Sequence, residues 1–135
     1  MRFPTLDELL ELHEQILDAT GGERGVMATG SLASALERAQ WGPFFGAVDL
    51  ADRAALPLRG ICQDHPFADG NKRTAFEAAD EFLGRNGLLL RAPPEAIVDF
   101  MLRVAQGHLE VDDMAAWLRS HARNHEEPEG GDSDP

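Results

Sequence analysis

The run His65-Pro66-Phe67-Ala68-Asp69-Gly70-Asn71-Lys72-Arg73-Thr74-Ala75 decides how this chain is to be read. Its first nine residues carry an imidazole, a carboxylate, a glycine, an amide and two cations. Pro66 disfavours helical geometry at His65, so a preceding helix should stop near Asp64. The spacing of Ala75, Ala79, Phe82 and Leu83 predicts a new helix from Gly70–Asn71 onward. A helix start exposes unpaired backbone N–H groups and about half a positive charge, which makes it a ready anion site. Gly70 lets the backbone approach a phosphate, and Asn71 can cap the helix or donate to an oxygen. Lys72 and Arg73 add a mobile and a forked cation. Asp69 would be out of place in a plain anion site but suits a divalent ion, such as magnesium, bridging carboxylate and phosphates. His65, just outside the helix, is placed to take a proton from an incoming hydroxyl, a contribution of about 10²–10⁴-fold. Phe67, between polar neighbours, reads as a plug holding the loop to the core.

Working outward, the pattern is helical almost throughout. Thr5 with Glu8 forms a capping box, Leu6, Leu9, Leu10, His13, Ile16 and Leu17 follow helical spacing, and Gly21-Gly22 ends the segment. His13 falls on the apolar stripe and reads as a hydrogen-bonded core or rim histidine. Ser31 begins a short helix through Leu32, Ala35, Leu36 and Ala39. Trp41-Gly42-Pro43-Phe44-Phe45-Gly46 breaks it and suggests a loop or flap, whose rings either anchor the loop or form a docking edge for a target. Asp49 caps a helix toward Gln63, with Pro57 inside as a kinking or splitting point. On the far side, Asn86-Gly87 gives a left-handed stop, Leu88-Leu89-Leu90 a short extended stretch, and Pro93-Pro94 the opening of a helix closed by Gly107. Asp112 is expected to cap a last helix carrying Met114, Ala115, Trp117 and Leu118. From His125 onward the composition reads as a disordered tail, so the expected division is a domain over residues 1–124 and an acidic tail over 125–135.

At 135 residues the chain fits one domain, with about two-thirds of its unfolded surface to bury. The single cysteine, Cys62, excludes an internal disulfide and suits a reducing compartment. No apolar run is long enough to span a bilayer, and acidic residues follow Met1-Arg2-Phe3-Pro4 where a signal peptide would be apolar. The expected location is the cytoplasm. The net charge is -12; Glu126, Glu127, Glu129, Asp132 and Asp134 supply -5 of it, leaving -7 on the rest. An acidic body argues against direct nucleic-acid binding. It suits a basic protein partner or simply solubility.

Other chemistries fit the run less well. A Walker loop needs a glycine five residues before Gly70, where His65 stands, and a lysine directly after the second glycine. A zinc site from His65 and Asp69 lacks a third and fourth ligand nearby, and His108, His121 and His125 read as surface residues. Cys62 as nucleophile lacks a histidine partner and reads as a small core residue. Stripped of chemistry, the run is a capped helix start with surface charges.

The run resembles the signature of the Fic/Doc superfamily, His-Pro-Phe-x-Asp-Gly-Asn followed by x-Arg, at every defined position through Arg73. Gly30-Ser31-Leu32-x-Ser34-Ala35-Leu36-x-Arg38 resembles the early helix of death-on-curing (Doc) toxins, as does the ending Phe82-Leu83-x-x-Asn86-Gly87. The likeness covers roughly residues 3 to 120. Two positions depart from the adenylylating Fic pattern: Lys72 stands where those enzymes carry a second glycine, and Phe76 where they carry a second arginine. Both point to the Doc branch, whose motif ends Asn-Lys-Arg. A lysine in the anion pocket occupies space and shifts charge, so a different phosphate can face the base. Gly70 is the Fic-like choice, where the founding Doc pattern has alanine.

The resemblance implies an all-α fold, a compact helical bundle with the signature loop before a central helix and a short flap. It implies a toxin of a toxin–antitoxin pair that transfers the terminal phosphate of ATP, with magnesium, to a hydroxyl of a translation factor similar to elongation factor Tu. The alternatives are transfer of AMP to a protein hydroxyl and a catalytically silent binding module. In the implied roles His65 is the general base, Asp69 holds magnesium, Gly70 and Asn71 bind phosphate, and Lys72 and Arg73 neutralise its charge. Many Fic proteins carry an inhibitory Ser/Thr-x-x-x-Glu-Gly/Asn string; here the one Glu followed by Gly or Asn is Glu129, and His125 lies four before it. Restraint is therefore expected in trans, from an antitoxin whose segment folds on binding.

Overall fold

A computed structural model of the chain describes residues 3–26, 29–41 and 49–124. The described residues form α1 (Leu6–Thr20), α2 (Thr29–Gln40), α3 (Leu50–Asp64), α4 (Asn71–Arg85), β1 (Leu88–Leu90), α5 (Pro94–Ala105), α6 (Val111–His121) and β2 (Ala122–Asn124). This is the expected all-α bundle, with one small two-stranded ribbon. Positions 42–46 of the aromatic loop and the tail from 125 lie outside the described residues. No described helix is long and apolar enough to cross a membrane.

The local signals explain most helix starts. Thr5 and Glu8 close the capping box on α1, each side chain taking the other's backbone N–H at 3.1 and 2.9 Å. Asp49 and Asp52 do the same for α3. On α6 the cap is Glu110, paired with Asp113, and not Asp112. Glutamate is a poor cap by propensity, but the three-residue spacing to Asp113 gives reciprocal bonds that Asp112 would forgo. Pro57 does not split α3, which runs unbroken from Leu50 to Asp64 with Pro57 buried.

Helix α3 is the axis of the bundle, packed against α2, α4, α5 and α6. Its Ala54, Ala55, Leu58, Ile61 and Cys62 are fully buried. Small residues permit the close approach of α2: a Cβ on Gly60 would stand 3.0 Å from that of Ala35. Helix α4 lies along α3 and contributes Ala75, Ala79, Phe82 and Leu83 to the core, the set its apolar spacing predicts. Each fully buried Leu, Ile or Phe of this kind is worth roughly 1.5–3 kcal/mol.

The remaining elements frame this pair. Gly87, at φ 91°, reverses the chain after α4 into β1. Strand β2 was not expected; it pairs antiparallel with β1, Leu88 opposite Asn124 and Leu90 opposite Ala122. His121, expected at the surface, is half-buried: its ring stacks on Trp117 at 4.0 Å, and Trp117 stacks in turn on Phe100 at 4.0 Å. Arg119 ties α6 to the start of α3 through Asp49 at 2.9 Å and Asp52 at 2.9 Å.

Candidate functional site

The link between α3 and α4 is six residues, His65 to Gly70. His65 ends α3 in the left-handed region, at φ 51° and ψ 58°, the only non-glycine with positive φ among the described residues. Such a conformation costs a non-glycine residue about 1–3 kcal/mol and persists only where neighbours over-determine it. Pro66 and Phe67 are those neighbours: both are buried, while the His65 side chain stays exposed.

Phe67 plugs the loop as the sequence suggested, at 1% exposure. Its ring lies flat on that of His13 in α1, 3.7 Å between centroids and 9° between planes. Asn71, at the first turn of α4, braces the Phe67 backbone from the other side: its Oδ1 accepts the Phe67 N–H at 3.0 Å and its Nδ2 donates to the Phe67 carbonyl at 2.9 Å. The Asn71 side chain thus spends two bonds on the loop itself.

Asp69 is held by its backbone and its side chain. His13 Nε2–H donates to the Asp69 carbonyl at 2.8 Å, which requires a proton on that nitrogen. The Asp69 Oδ2 accepts the Glu23 N–H at 2.7 Å. The segment that follows α1 also pairs with the loop: Ala68 N–H donates to Gly25 O at 3.1 Å, and Val26 bridges Phe67. Gly70 then caps α4 at φ 81° with no side-chain acceptor, leaving the first N–H groups of α4 without a cap. Gly22 and Gly70 are both required by conformation, at φ 125° and 81°, and a Cβ on Gly22 would press to 3.2 Å on the Asp69 Cβ.

Lys72 and Arg73 stand exposed on the first turn of α4. Arg73 makes a loose pair with Glu77 at 3.5 Å, its side chain 60% exposed. Beside them, α4 and α5 enclose a cleft of about 420 Å³, walled by Phe76, Ile97, Val98, Met101 and Leu102. Val98 and Leu102 remain 59% and 44% exposed there. Cys62 is fully buried, and burial pushes its thiol up, partly offset by the nearby Lys72 ammonium, so it is a poor nucleophile.

His65, Asp69, Gly70, Asn71, Lys72 and Arg73 therefore surround one helix start, as adjacency in sequence required. Sequence reasoning placed His13 in the core, where it lies, but missed that its bond is to the signature run. It also missed that Gly22, Glu23 and Gly25 form the opposite wall. The bond from His13 to Asp69 spans 56 residues, and no local spacing announces it. Among the described residues no cluster of three His, Cys, Asp or Glu side chains could hold a metal ion alone.

A profile of the Fic/DOC family matches residues 3–83. The chain is 32% identical over 120 residues to a protein named protein kinase doc from Escherichia phage P1, covering 88% of this chain and 94% of that protein. It is 39% identical over 110 residues to a protein named toxin Doc from Mycolicibacterium smegmatis, covering 77% of this chain and 83% of that one.

Proposed function

The chain belongs to the Fic/DOC family, and on that premise we propose that it is a Doc-like toxin transferring the terminal phosphate of ATP to a hydroxyl of a translation factor similar to elongation factor Tu. What carries the reading is a complete signature run in a chain 32% identical, over nearly its whole length, to a relative named a protein kinase.

In this reading the exposed His65 imidazole takes the proton of the target hydroxyl as its oxygen attacks the terminal phosphorus. The bond from that phosphorus to the bridging oxygen breaks, and ADP leaves. His65 contributes about 10²–10⁴-fold as base; the uncapped N–H groups of α4, Lys72 and Arg73 contribute by orienting the phosphates and holding their charge. Gly70, at φ 81° and with no Cβ to press on Leu17 and His13, lets the turn before the helix start pack on α1. Asn71 holds the loop through Phe67, and one amide hydrogen remains for a phosphate oxygen.

The donor set suits magnesium. Asp69 is exposed and commits Oδ2 to Glu23, which leaves Oδ1 for a cation. One carboxylate is enough where phosphates and water complete the shell. Bound there by Asp69, magnesium would neutralise phosphate charge and fix the phosphates' orientation.

Gly70 favours a second reading, AMP transfer, because it is the residue of the adenylylating pattern. An antitoxin acting in trans follows from the likeness to toxin Doc, and the apolar cleft between α4 and α5 offers such a partner a surface. The deciding experiment is intact-mass analysis of purified elongation factor Tu after incubation with this protein, ATP and magnesium, beside His65→Ala. A gain of one phosphate that disappears in His65→Ala supports the kinase reading. A gain of one AMP moves the protein to the adenylylating branch. No gain at all counts against both for this target.

A further inference from the structure

His13 is one of two buried polar side chains among the described residues, and it makes two direct contacts with the signature run. It stacks on Phe67 at 3.7 Å, donates from Nε2 to the Asp69 carbonyl at 2.8 Å, and lies where a Cβ on Gly70 would come within 3.6 Å of its ring. A histidine that merely filled the core would need none of these to converge on one turn. Phenylalanine would fill the same space with less desolvation cost.

We propose that His13 is a positioning residue of the transfer site, setting the peptide plane between Asp69 and Gly70. The inference rests on the phosphotransfer reading above. A trans peptide points its C=O and N–H in opposite directions. Fixing the Asp69 oxygen on α1 therefore turns the Gly70 N–H away from α1 and sets where α4 begins. The Asp69 Cα is fixed by the same bond, so its carboxylate leaves the backbone in a set direction. Glu23 N–H then holds Oδ2, so Oδ1 is presented outward. The ring and the donor do separate work: the ring clamps Phe67, and the donor sets the peptide. Of the common side chains, Phe keeps only the ring, Gln keeps only the donor, and His supplies both.

The test uses the full chain and three variants, His13→Phe, His13→Gln and Leu9→Ala. Leu9 is buried in the same helix at 1% exposure, away from the turn, and serves as a purely structural control. Magnesium-ATP binding is measured by calorimetry below every variant's melting range, with amide hydrogen exchange on the same samples. His13→Phe is expected to melt close to the parent yet bind about tenfold or more weakly, the scale seen when a residue orienting a metal ligand is lost. His13→Gln should recover part of that loss, and Leu9→Ala should melt early but bind normally. Binding by His13→Phe within about twofold of the parent overturns the proposal, as does an equal loss in Leu9→Ala. If the parent itself binds no magnesium-ATP, the phosphotransfer reading fails, and exchange decides on His13 separately. Faster exchange of the Ala68 and Glu23 amides in His13→Phe, with α3 unchanged, upholds the anchoring; unchanged exchange overturns it.

Discussion

Asn71 and Phe67 form a closed ring of two hydrogen bonds, amide side chain to backbone N–H at 3.0 Å and to backbone C=O at 2.9 Å. The first turn of α4 thereby holds the loop that precedes it, and the side chain that looks like a phosphate ligand is also a brace.

Asn71→Ala removes both bonds. At roughly 0.5–1.5 kcal/mol each, the expected loss of stability is about 1–3 kcal/mol, read by urea denaturation. Phosphoryl transfer should fall as well, because Phe67 and the neighbouring Asp69 lose their reference point. Asn71→Asp keeps the acceptor but not the donor and should fall between the two in stability.

His65 separates stability from activity. Its left-handed conformation is strained for any residue but glycine. His65→Gly is expected to gain about 0.5–1 kcal/mol, strain relief less the added freedom of the unfolded chain. His65→Ala keeps the strain and should melt near the parent. Both should lose transfer by about 10²–10⁴-fold, measured as phosphate incorporated into the target.

Gly22 tests the opposite wall of the site. Alanine there must adopt φ near 125° and meets the Asp69 Cβ and Leu17 Cδ2 at 3.2 Å. Gly22→Ala is expected to cost about 1–2 kcal/mol in strain and to weaken magnesium-nucleotide binding by displacing Asp69, whereas Gly21→Ala, with open space around it, should carry only the strain. Calorimetric titration of the two variants side by side reads the difference.

Acid should reach the fold through Glu8. The Arg85 guanidinium, then the Thr5 N–H, hold its carboxyl down from the usual 4.5 to about 2. A carboxylate depressed in the folded state adds stability that is present above its unfolded value and is lost as pH falls toward the folded one. Glu8 therefore contributes at neutral pH and loses that contribution between about 4.5 and about 2. The pair with Arg85 lies at the surface, where solvent screens it, so the effect is small. Glu8→Gln should show a smaller drop in urea midpoint between pH 7 and pH 3 than the parent, and equal drops would remove Glu8 from the account.

Features that depend on neighbours in sequence were legible. The Thr5 and Asp49 caps, the stop at Asp64, the start at Asn71 and the turn at Gly87 follow from side chains within four residues of each other. The signature run named the family because its chemistry is contiguous. What was not legible depends on contacts across the fold. Ala122-Arg123-Asn124 has no strand propensity and becomes β2 only because β1 offers it an edge. His121 looks polar and terminal, yet Trp117, one helical turn back, gives it a ring to lie on. His13 was placed in the core correctly, but nothing within its helix could show that Asp69 waits there.

The pairing of Glu23–Val26 with the signature turn bears on how the protein folds. The bonds from His13 and Gly25 to this turn close long stretches of chain, and closure on that scale follows collapse and does not precede it. During synthesis α1 leaves the ribosome well before the turn exists, and helix α4 alone cannot order Asp69. The order of this turn is thus a product of contacts that α1, the segment after it and the turn make together. In the phosphotransfer reading, a copy whose turn has not yet docked on α1 lacks the ordered Asp69.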